Sequence, residues 1–523
     1  MRKIFHYGED TLSPGLALDI ARGKIEGVIS ESAEAKIRKC SDDVQTIINN
    51  KNIVYGVNTG FGPLCTTIIS EKDTKTLQYN ILKSHSVGMG DDIKEEISTL
   101  MLILKMHALS QGYSGIQMET LNRINWHINN KAIPVVPSQG SVGASGDLAP
   151  LAHLFLPLIG LGQVHFNGEI ISGEELFKRE NLTPVDLGPK EGLALINGTQ
   201  FIAAHAVKAV ERFKNILDAS DIIGAMTLES LLGSARPFKA ELHRIRPYEG
   251  TIYVADRLET MIKGSEILQS HADCERVQDP YSIRCMPQVH GASRNAWKHL
   301  KELLNVELNS VTDNPIILSP EDTISGGNFH GQPLALPLDY STLASSELGN
   351  ISDRRTYLLL EGKTKGLPKL LMEQTGINSG FMIPQYTSAA LVSENKSLCF
   401  PPSSDSVPTS LGQEDHVSMG SISGRRVNEV IGNVEKILAV ELVCAAQAFD
   451  FRRPLKSAPV LESCHSAVRD IIDHAEVDRV FALDLEKARE MIASGKLVEV
   501  AESAADNFKI DIHGGNNELF GLY

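Results

Sequence analysis

The sequence predicts a mainly α-helical protein built on a bundle of long helices. Three segments, 199–233, 332–362 and 424–450, are rich in Ala, Leu, Glu and Ile, with apolar positions recurring at i, i+3 and i+4. Many of the expected core-facing positions are Ala or Ser, which allows long helices to approach one another closely. The 523 residues contain no fixed-period repeat and no low-complexity segment, so we expect the bundle to dominate the fold.

The elements before residue 200 are expected to be shorter. Residues 29–48 have helical spacing, with Ser30 as the candidate N-cap. Residues 74–85 and 95–111 also predict helices. The turn signals within 164–188 are typical of a short hairpin.

Two glycine-punctuated segments predict loops instead of regular elements. Residues 55–65 read YGVNTGFGPLC, and residues 132–147 read AIPVVPSQGSVGASGD. We therefore expect a loop-rich N-terminal part over 1–200 and a long helical bundle over 201–523. Both parts are expected to belong to one continuous catalytic unit.

Composition excludes several classes of partner. Lys and Arg number 50 against 65 Asp and Glu, a formal net charge of −15, so a basic face for nucleic acid or anionic lipid is not expected. The seven cysteines are scattered without a C-x-x-C pair, which argues against a zinc ribbon and a disulfide framework. The first residues lack the apolar core of a signal peptide, and the longest mostly apolar stretch, 148–162, is too short to span a bilayer. We expect a cytoplasmic protein without nucleic-acid or membrane partners.

Common catalytic motifs are missing. The sequence has no Walker A loop, no H-E-x-x-H and no G-x-S-x-G elbow. His85, His330 and His416 do not have the spacing of a zinc site, so a metal-dependent enzyme is the weakest alternative, and no metal is expected.

The segment Gly143-Ala144-Ser145-Gly146-Asp147 can form an electrophile from its own atoms. Attack of the Gly146 nitrogen on the Ala144 carbonyl carbon would close a five-membered ring and release water. Loss of the Ser145 hydroxyl as a second water would leave a methylidene conjugated to the ring carbonyl. Glycine supplies an unobstructed nitrogen, and serine supplies the hydroxyl. By itself the triplet is weak evidence, because Ala-Ser-Gly is expected by chance roughly 0.2 times in a chain of this length.

Further motifs in a fixed order strengthen this interpretation. They are GASGDLAP (143–150), YGVNTGFG (55–62), INGT (196–199), QDPYSIRCMPQ (278–288), SVTDNP (310–315), GGNFHG (326–331) and QEDHVSM (413–419). Together they resemble the aromatic amino-acid ammonia-lyase family, over about Val54 to Ala448. The resemblance implies a 4-methylidene-imidazol-5-one formed autocatalytically from Ala144, Ser145 and Gly146, without an external cofactor. Within the family, the chain is most similar to the histidine-acting members.

The resemblance also implies roles for other side chains. Tyr55 matches an active-site tyrosine and is the candidate base for the β-proton, with Tyr281 in a supporting role; a phenol of pKa about 10 must then be held partly ionised. Asn197 matches a donor to the imidazolone oxygen. Arg284 matches the partner of the substrate carboxylate, which a guanidinium binds bidentately. The remaining matched positions line the family's active site: Gln278, Asn314 and Phe329.

Two polar residues favour histidine as the substrate. His85 ends the segment NILKSH, and Glu414 lies in QEDH, where phenylalanine and tyrosine lyases usually have Asn-Gln-Asp and an apolar residue. A buried carboxylate left unpaired beside a phenyl ring would cost about 1–3 kcal/mol, whereas an imidazole offers an N–H to Glu414 and a second nitrogen to His85. Glu414 is also a candidate proton acceptor. We predict conversion of L-histidine into trans-urocanate and ammonia, the first step of histidine degradation.

Several alternatives stay open at this point. The electrophile could bond to the α-amine or to the imidazole ring of the substrate. Some tyrosine-acting relatives share the Ser84-His85 pair, so a tyrosine or phenylalanine ammonia-lyase, or an aminomutase, is the nearest alternative function. A helical scaffold with a degenerate lyase site is another. The resemblance further implies a homotetramer with active sites shared among subunits, so Tyr55, Tyr281 and Phe329 need not belong to the chain that supplies Ser145.

Overall fold

Long helices in contact along much of their length form the centre of the molecule. The computed structural model describes residues 3–50, 53–60, 62, 69–272, 277–515 and 517–523. Within those ranges, no helix is long and apolar enough to cross a membrane. Cys65 and Cys274 lie outside the described residues.

The described residues form the following α-helices and β-strands. The helices are α1 Pro14–Ala21, α2 Glu31–Asn49, α3 Glu71–His85, α4 Glu95–Leu109, α5 Met118–Asn129, α6 Leu148–Phe155, α7 Gly173–Glu180, α8 Glu191–Ile196, α9 Gln200–Ser230, α10 Ala240–Arg244, α11 Glu249–Met261, α12 Glu266–Gln269, α13 Tyr281–Arg284, α14 Met286–Leu308, α15 Gln332–Leu360, α16 Met382–Leu398, α17 Gly420–Asp450, α18 Pro459–Arg469, α19 Phe481–Ala493, α20 Lys496–Phe508 and α21 Asn517–Phe520. The strands are β1 Lys3–His6, β2 Ile25–Val28, β3 Met89–Asp92, β4 Ile133–Pro134, β5 Pro137–Gln139, β6 Gln163–Phe166, β7 Glu169–Ser172, β8 Ile316–Ile317 and β9 Thr323–Ile324. The mainly α prediction is confirmed.

The three predicted long helices are α9, α15 and α17. α17 packs along both α15 and α9, and α14 packs against α15 and α9. Close packing depends on small residues: a Cβ built on Gly349 of α15 would lie 2.9 Å from the Ile437 side chain of α17. The third helix begins at Gly420, four residues before the predicted start. Its extra turn is held by tertiary contacts, since Ser421 Oγ donates to the Ser141 carbonyl at 2.6 Å.

The first 200 residues contain helices as well as loops. Ser30 caps α2 as predicted, its hydroxyl accepting from Ala33 N at 3.1 Å. The hairpin predicted within 164–188 is β6–β7, which pair antiparallel. α1 and α4 both pack on α9, so this part lies against the long helices. The division of the chain near residue 200 stays a prediction.

A short antiparallel pair positions the end of α3. β3 pairs with β5, placing Met89 opposite Gln139. Because α3 ends at His85 and β5 leads into residues 140–147, this pairing brings His85 close to that loop. The Gly88 N–H donates to His153 Nε2 of α6 at 3.0 Å, which fixes the connection between α3 and β3.

A buried ion pair connects the three long helices. Arg355 of α15 donates through Nε and Nη2 to the two carboxylate oxygens of Glu441 on α17, at 2.6 and 2.8 Å. Thr227 of α9 donates to Glu441 Oε1 at 2.7 Å. All three side chains are fully buried. The geometry is bidentate, so each charge is matched within the core.

Removing one member of this pair should destabilise the fold strongly. We expect Glu441→Leu to lower the free energy of unfolding by about 3–5 kcal/mol, because Arg355 would be left buried without a counter-charge. Urea unfolding at one fixed protein concentration measures this. The double variant Arg355→Met/Glu441→Leu is the control, and it should lose much less than the single variant. Equal losses in the two would show that the charge pair does not determine the effect.

Candidate active site

Residues 143–147 form a tight turn with an unusual backbone. Gly143, Ser145 and Gly146 all have positive φ, at 79°, 49° and 80°. A left-handed conformation is free for glycine but costs roughly 1–2 kcal/mol for a residue with a Cβ, so Ser145 is held there by its surroundings. The turn therefore holds the Ala144-Ser145-Gly146 segment in a backbone conformation that residues with a Cβ rarely adopt.

The turn is docked against Asn197 and Gly198. The Gly198 N–H donates to the Ser145 carbonyl at 3.2 Å, and the Asp147 N–H donates to the Gly198 carbonyl at 2.7 Å. The approach is so close that a Cβ on Gly146 would collide with the Gly198 carbonyl. Asn197 is 2% exposed, and its Oδ1 has no hydrogen-bond partner among the described residues.

Asp147 fixes the far end of the turn to the bundle. Its Oδ2 accepts from Phe201 N and Ile202 N, both at 3.0 Å, in the first turn of α9. The carboxyl is fully buried. Burial raises its pKa to about 7, although the two backbone donors act in the opposite direction. We call residues 143–147 the electrophile turn, after the electrophile that the sequence predicts there. Through Asp147 this turn is attached to the N-terminal end of the long helix α9, where negative charge is stabilised.

A second turn presents Glu414 to Ser145. Thr409 Oγ1 and Ser410 Oγ donate to Glu414 Oε2 at 2.9 and 2.7 Å, and the Thr409 N–H donates to the Glu414 carbonyl at 2.9 Å. With Oε2 held, Oε1 accepts from Ser145 Oγ at 3.2 Å. Residues 269 apart in sequence therefore meet through a hydrogen bond.

A cavity of about 260 Å³ lies where these turns meet. It is lined by Ala144, the apolar Leu148 and the polar side chains of His85, Thr409, Ser410 and Glu414, among others. None of its described lining residues is Lys or Arg. A larger cavity of about 790 Å³ lies beside α9 and α17, but it contains none of the predicted site residues.

His85 is suited to hydrogen bonding in its neutral form. Burial lowers the pKa of its imidazole, and the hydrogen bond that the ring donates to the Ile81 backbone carbonyl and the charge of Glu414 offset this only in part. Ser84 Oγ lies 3.0 Å from His85 Nδ1. A neutral imidazole offers one donor and one acceptor, so the cavity combines a carboxylate acceptor with a group that can do either.

Tyr55, Asn314 and Phe329 lie on neighbouring loops. The Tyr55 hydroxyl accepts from Gly62 N at 3.1 Å. Asn314 Oδ1 accepts from Gly326 N at 2.7 Å, and the half-buried Phe329 follows three residues later. Thr312, two residues before Asn314, accepts from the Gln200 side chain at 2.8 Å, and a Cβ on Gly198 would lie 2.8 Å from its hydroxyl oxygen. This segment therefore lies beside Gly198, on which the electrophile turn is docked.

Gln278, Tyr281 and Arg284 form a separate cluster around α13. Arg284 donates to Gln278 Oε1 and to the Asp279 carbonyl, both at 2.9 Å. Its guanidinium lies 4.7 Å from the centroid of the Tyr281 ring. Tyr281 is 72% exposed. No member of this cluster lines the 260 Å³ cavity of the same chain, so one chain assembles only part of the predicted residue set.

The histidines of the metal alternative are not grouped as ligands. The rings of His330 and His416 lie 5.8 Å apart, and His85 lines the cavity. In the part of the chain that the structure describes, no three His, Cys, Asp or Glu side chains are placed to hold a metal ion.

Sequence reasoning missed several residues of this site. Thr409 and Ser410 orient Glu414, Asp147 anchors the electrophile turn, and Lys105 of α4 donates to the Asn197 carbonyl. Only Lys105 had a visible signal, a lysine inside the apolar run LMLILKMHAL. The hydroxyls and the aspartate are ordinary in their local sequence, and their importance follows from tertiary contacts.

Comparisons with known proteins place the chain in a family. The family described as "Aromatic amino acid lyase" matches residues 12–470. The chain belongs to the aromatic amino acid lyase family. A histidine ammonia-lyase of Natranaerobius thermophilus is 42% identical over 503 residues, 96% of this chain and 97% of that protein.

Solved structures of the family share the fold. Histidine ammonia-lyase from Trypanosoma cruzi has a TM-score of 0.88 and 38% identity, covering 96% of this chain and 95% of that one. Tyrosine aminomutase from Streptomyces globisporus has a TM-score of 0.91 and 32% identity, covering 96% and 99%. The fold is therefore common to family members named for different activities, and substrate choice must come from the lining of the site.

The close approach of Gly146 to Gly198 can be tested against a matched glycine. Gly168, in the β6–β7 turn, has nearly the same φ, 82°, but a Cβ there would meet nothing within 4 Å. We expect Gly168→Ala to cost about 1 kcal/mol from backbone strain alone. Gly146→Ala should cost at least about 2 kcal/mol more, because the turn must move away from Gly198. Urea unfolding of the two variants measures the difference, and equal losses would contradict the proposed collision.

Proposed function

We propose that this chain eliminates ammonia from L-histidine to give trans-urocanate, using an electrophile formed from Ala144, Ser145 and Gly146. The observation that carries the proposal is the 3.2 Å hydrogen bond between Ser145 Oγ and Glu414. Glu414 and His85 both line the cavity beside it. The relatives named histidine ammonia-lyase, similar over nearly the full length, support the same substrate.

The surroundings of the turn fit a 4-methylidene-imidazol-5-one. The Ser145 carbonyl, which would become the ring carbonyl, already accepts from the Gly198 N–H at 3.2 Å. Gly146 has no Cβ to obstruct its nitrogen. A larger residue would not fit there, because its Cβ would collide with the Gly198 carbonyl. Such a group would supply an electrophilic carbon for the elimination of ammonia. The chain's own residues then bind and orient the substrate and move its protons.

Glu414 and His85 are proposed to recognise the imidazole. The Glu414 carboxylate accepts an imidazole N–H, and neutral His85 pairs with the second nitrogen. A phenol or phenyl ring leaves at least one of these groups unpaired, which is a strong basis for rejection. The Thr409 and Ser410 hydroxyls keep the carboxylate oriented before substrate arrives.

The remaining roles are proposed from the family match. Tyr55 removes the β-proton with Tyr281 in support, and Asn197 stabilises charge at the ring oxygen. Arg284 binds the substrate carboxylate, with Gln278 beside it. The matched residues Asn314 and Phe329 complete the lining.

A homotetramer with shared sites explains the division of these residues. The described lining of the cavity has no cation for the substrate carboxylate, while Arg284 lies in the exposed cluster with Tyr281. We propose that another copy of the chain brings this cluster to the cavity. Such an assembly, in the cytoplasm, needs no partner other than the small-molecule substrate.

The main alternative is a tyrosine or phenylalanine ammonia-lyase, or an aminomutase that uses the same electrophile. The structural similarity of this chain to a tyrosine aminomutase supports this alternative. Separate incubations with L-histidine, L-tyrosine and L-phenylalanine, analysed by NMR, distinguish the options. A β-amino acid product identifies an aminomutase, and urocanate from histidine alone identifies the proposed activity.

Ser145→Ala should abolish turnover while leaving the fold intact, because the hydroxyl that must leave is gone. The measured mass of the wild-type chain should be lower than the mass calculated from its sequence by two waters. The variant should not lose the second water, because that water comes from the Ser145 hydroxyl. Thermal unfolding should change little. Substantial histidine turnover by the variant would contradict the electrophile assignment.

Glu414→Gln should lower kcat/KM for histidine by about 100-fold or more, since the charged acceptor is replaced by a neutral amide. The free energy of unfolding should fall by less than about 1 kcal/mol, because Gln retains an oxygen for the Thr409 and Ser410 hydroxyls. Glu373→Gln, the same change at an exposed position, is the control and should leave kcat/KM unaltered. Unchanged kinetics in Glu414→Gln would remove that residue from the site.

A further inference from the structure

Lys105 is a buried lysine that binds the peptide on which the electrophile turn is docked. It lies near the C-terminal end of α4, is 1% exposed, and donates from Nζ to the Asn197 carbonyl. Lysine is almost never fully buried without a counter-charge, because desolvation of the ammonium costs several kcal/mol. A residue retained at such a cost is a candidate for function.

The charges around Lys105 do not form an ion pair with it. Asp313, Lys190 and Asp147 are the charged groups that act on it, but Asp313 is already bound to Lys190 Nζ at 2.6 Å. Among the described residues, no carboxylate lies within ion-pair distance of Lys105 Nζ. Burial lowers the pKa of Lys105 to about 7. Lys190 is the contrasting case, a buried lysine with a full partner set that includes the Ser114 carbonyl at 3.0 Å.

The hydrogen bond of Lys105 continues to the reacting atoms through one peptide group. The Asn197 carbonyl and the Gly198 N–H are the two ends of the same peptide unit. The carbonyl accepts from Lys105, and the N–H donates to the Ser145 carbonyl at 3.2 Å. Hydrogen bonds in such a chain polarise one another, so a cation at one end strengthens the donor at the other.

The receiving oxygen is the one on which charge must develop. Ring closure joins the Gly146 nitrogen to the Ala144 carbon, so the Ser145 carbonyl becomes the ring carbonyl conjugated to the methylidene. When a nucleophile adds to the methylidene carbon, the displaced electron pair moves onto this oxygen. A prearranged donor aimed there stabilises the addition more than the ground state.

We propose that Lys105 is a positioning residue that polarises the Asn197–Gly198 peptide toward the Ser145 carbonyl, and so activates the electrophile without touching the substrate. The inference rests on the proposed function. It differs from a structural role in one respect: the charge of Lys105 costs stability and contributes to rate.

The test compares Lys105→Met, which keeps the length and loses the charge, with Lys105→Arg, which keeps the charge. Kinetics are measured at pH 6.5, where the ammonium form predominates, together with intact mass, near-ultraviolet absorbance and thermal unfolding. Lys190→Met is the matched control for loss of a buried lysine. That variant leaves Asp313 buried and unpaired, so it should unfold at a lower temperature.

We expect Lys105→Met to retain the loss of two waters and to lower kcat about 10- to 30-fold with KM changed by less than about threefold. Its absorbance should move to shorter wavelength, because the conjugated carbonyl is less polarised. Its unfolding temperature should equal or exceed that of the wild type. The gain should be largest below pH 7 and vanish above about pH 10.4, where lysine is neutral in both folded and unfolded chains. Lys105→Arg should restore most of the rate and the absorbance.

Two results overturn the inference. The first is a Lys105→Met variant with kcat within threefold of wild type. The second is a Lys105→Met variant whose intact mass shows no loss of the two waters, or one that is destabilised as Lys190→Met is. Either result would make Lys105 a structural residue. Failure of the proposed function is recognised separately, in the wild-type chain: no loss of water on intact mass, or no turnover of histidine.

Discussion

The site depends on one backbone contact, the docking of the electrophile turn on the Asn197–Gly198 peptide. Two backbone hydrogen bonds join the two segments, and the absence of a Cβ on Gly146 permits their close approach. Three other features of the site follow from it. Asp147 follows the turn and reaches the first amides of α9; Ser145 is held at positive φ; and its hydroxyl meets Glu414. A rigid helix supplies the support that an isolated loop of small residues could not.

The bundle provides that support by matching charge inside the core. The Arg355–Glu441 pair ties α15 to α17, and Arg294 of α14 donates to both Asp218 and Asp221 of α9. Each of these charges would be costly if left alone, and each is hydrogen-bonded to a counter-charge on another helix. Their relative positions therefore fix the helices in register. Lys105 departs from this pattern, since it is buried close to the site and binds a carbonyl, with no counter-charge at ion-pair distance among the described residues.

The sequence was informative where a pattern is local and less so where tertiary contacts decide. Periodic apolar positions predicted α9, α15 and α17, and a hydroxyl before a charged run predicted the cap at Ser30. α16 gave no such signal, because only Pro384, Ser388 and Asn395 are buried along it. α20 is a helix that the sequence does encode locally, since Leu497, Val498, Ala501 and Ala505 are buried on one face.

The site shows the same division. Ser145, His85 and Glu414 were predicted from motifs, and the structure brings them to one cavity. Thr409 and Ser410 act only because a turn with positive φ at Ser410 and Leu411 folds back on Glu414, and no local pattern encodes that contact. Arg284 was predicted from its motif, but it does not line the cavity of its own chain. The assembly that we propose would bring it there, and one chain's sequence does not specify that contact.

The two sides of Ser145 differ in charge, and this difference gives the site a direction. Its side chain faces the Glu414 carboxylate, while its carbonyl faces the Gly198 N–H and, beyond that peptide, Lys105. A negative group on the methylidene side and polarised donors on the oxygen side both favour electron movement from carbon to oxygen. The carboxylate that we propose to recognise the imidazole would therefore also contribute to the field at the proposed electrophile. Substrate choice and reactivity are in this sense coupled through one residue, so a change at Glu414 made to alter specificity should also alter the reactivity of the electrophile.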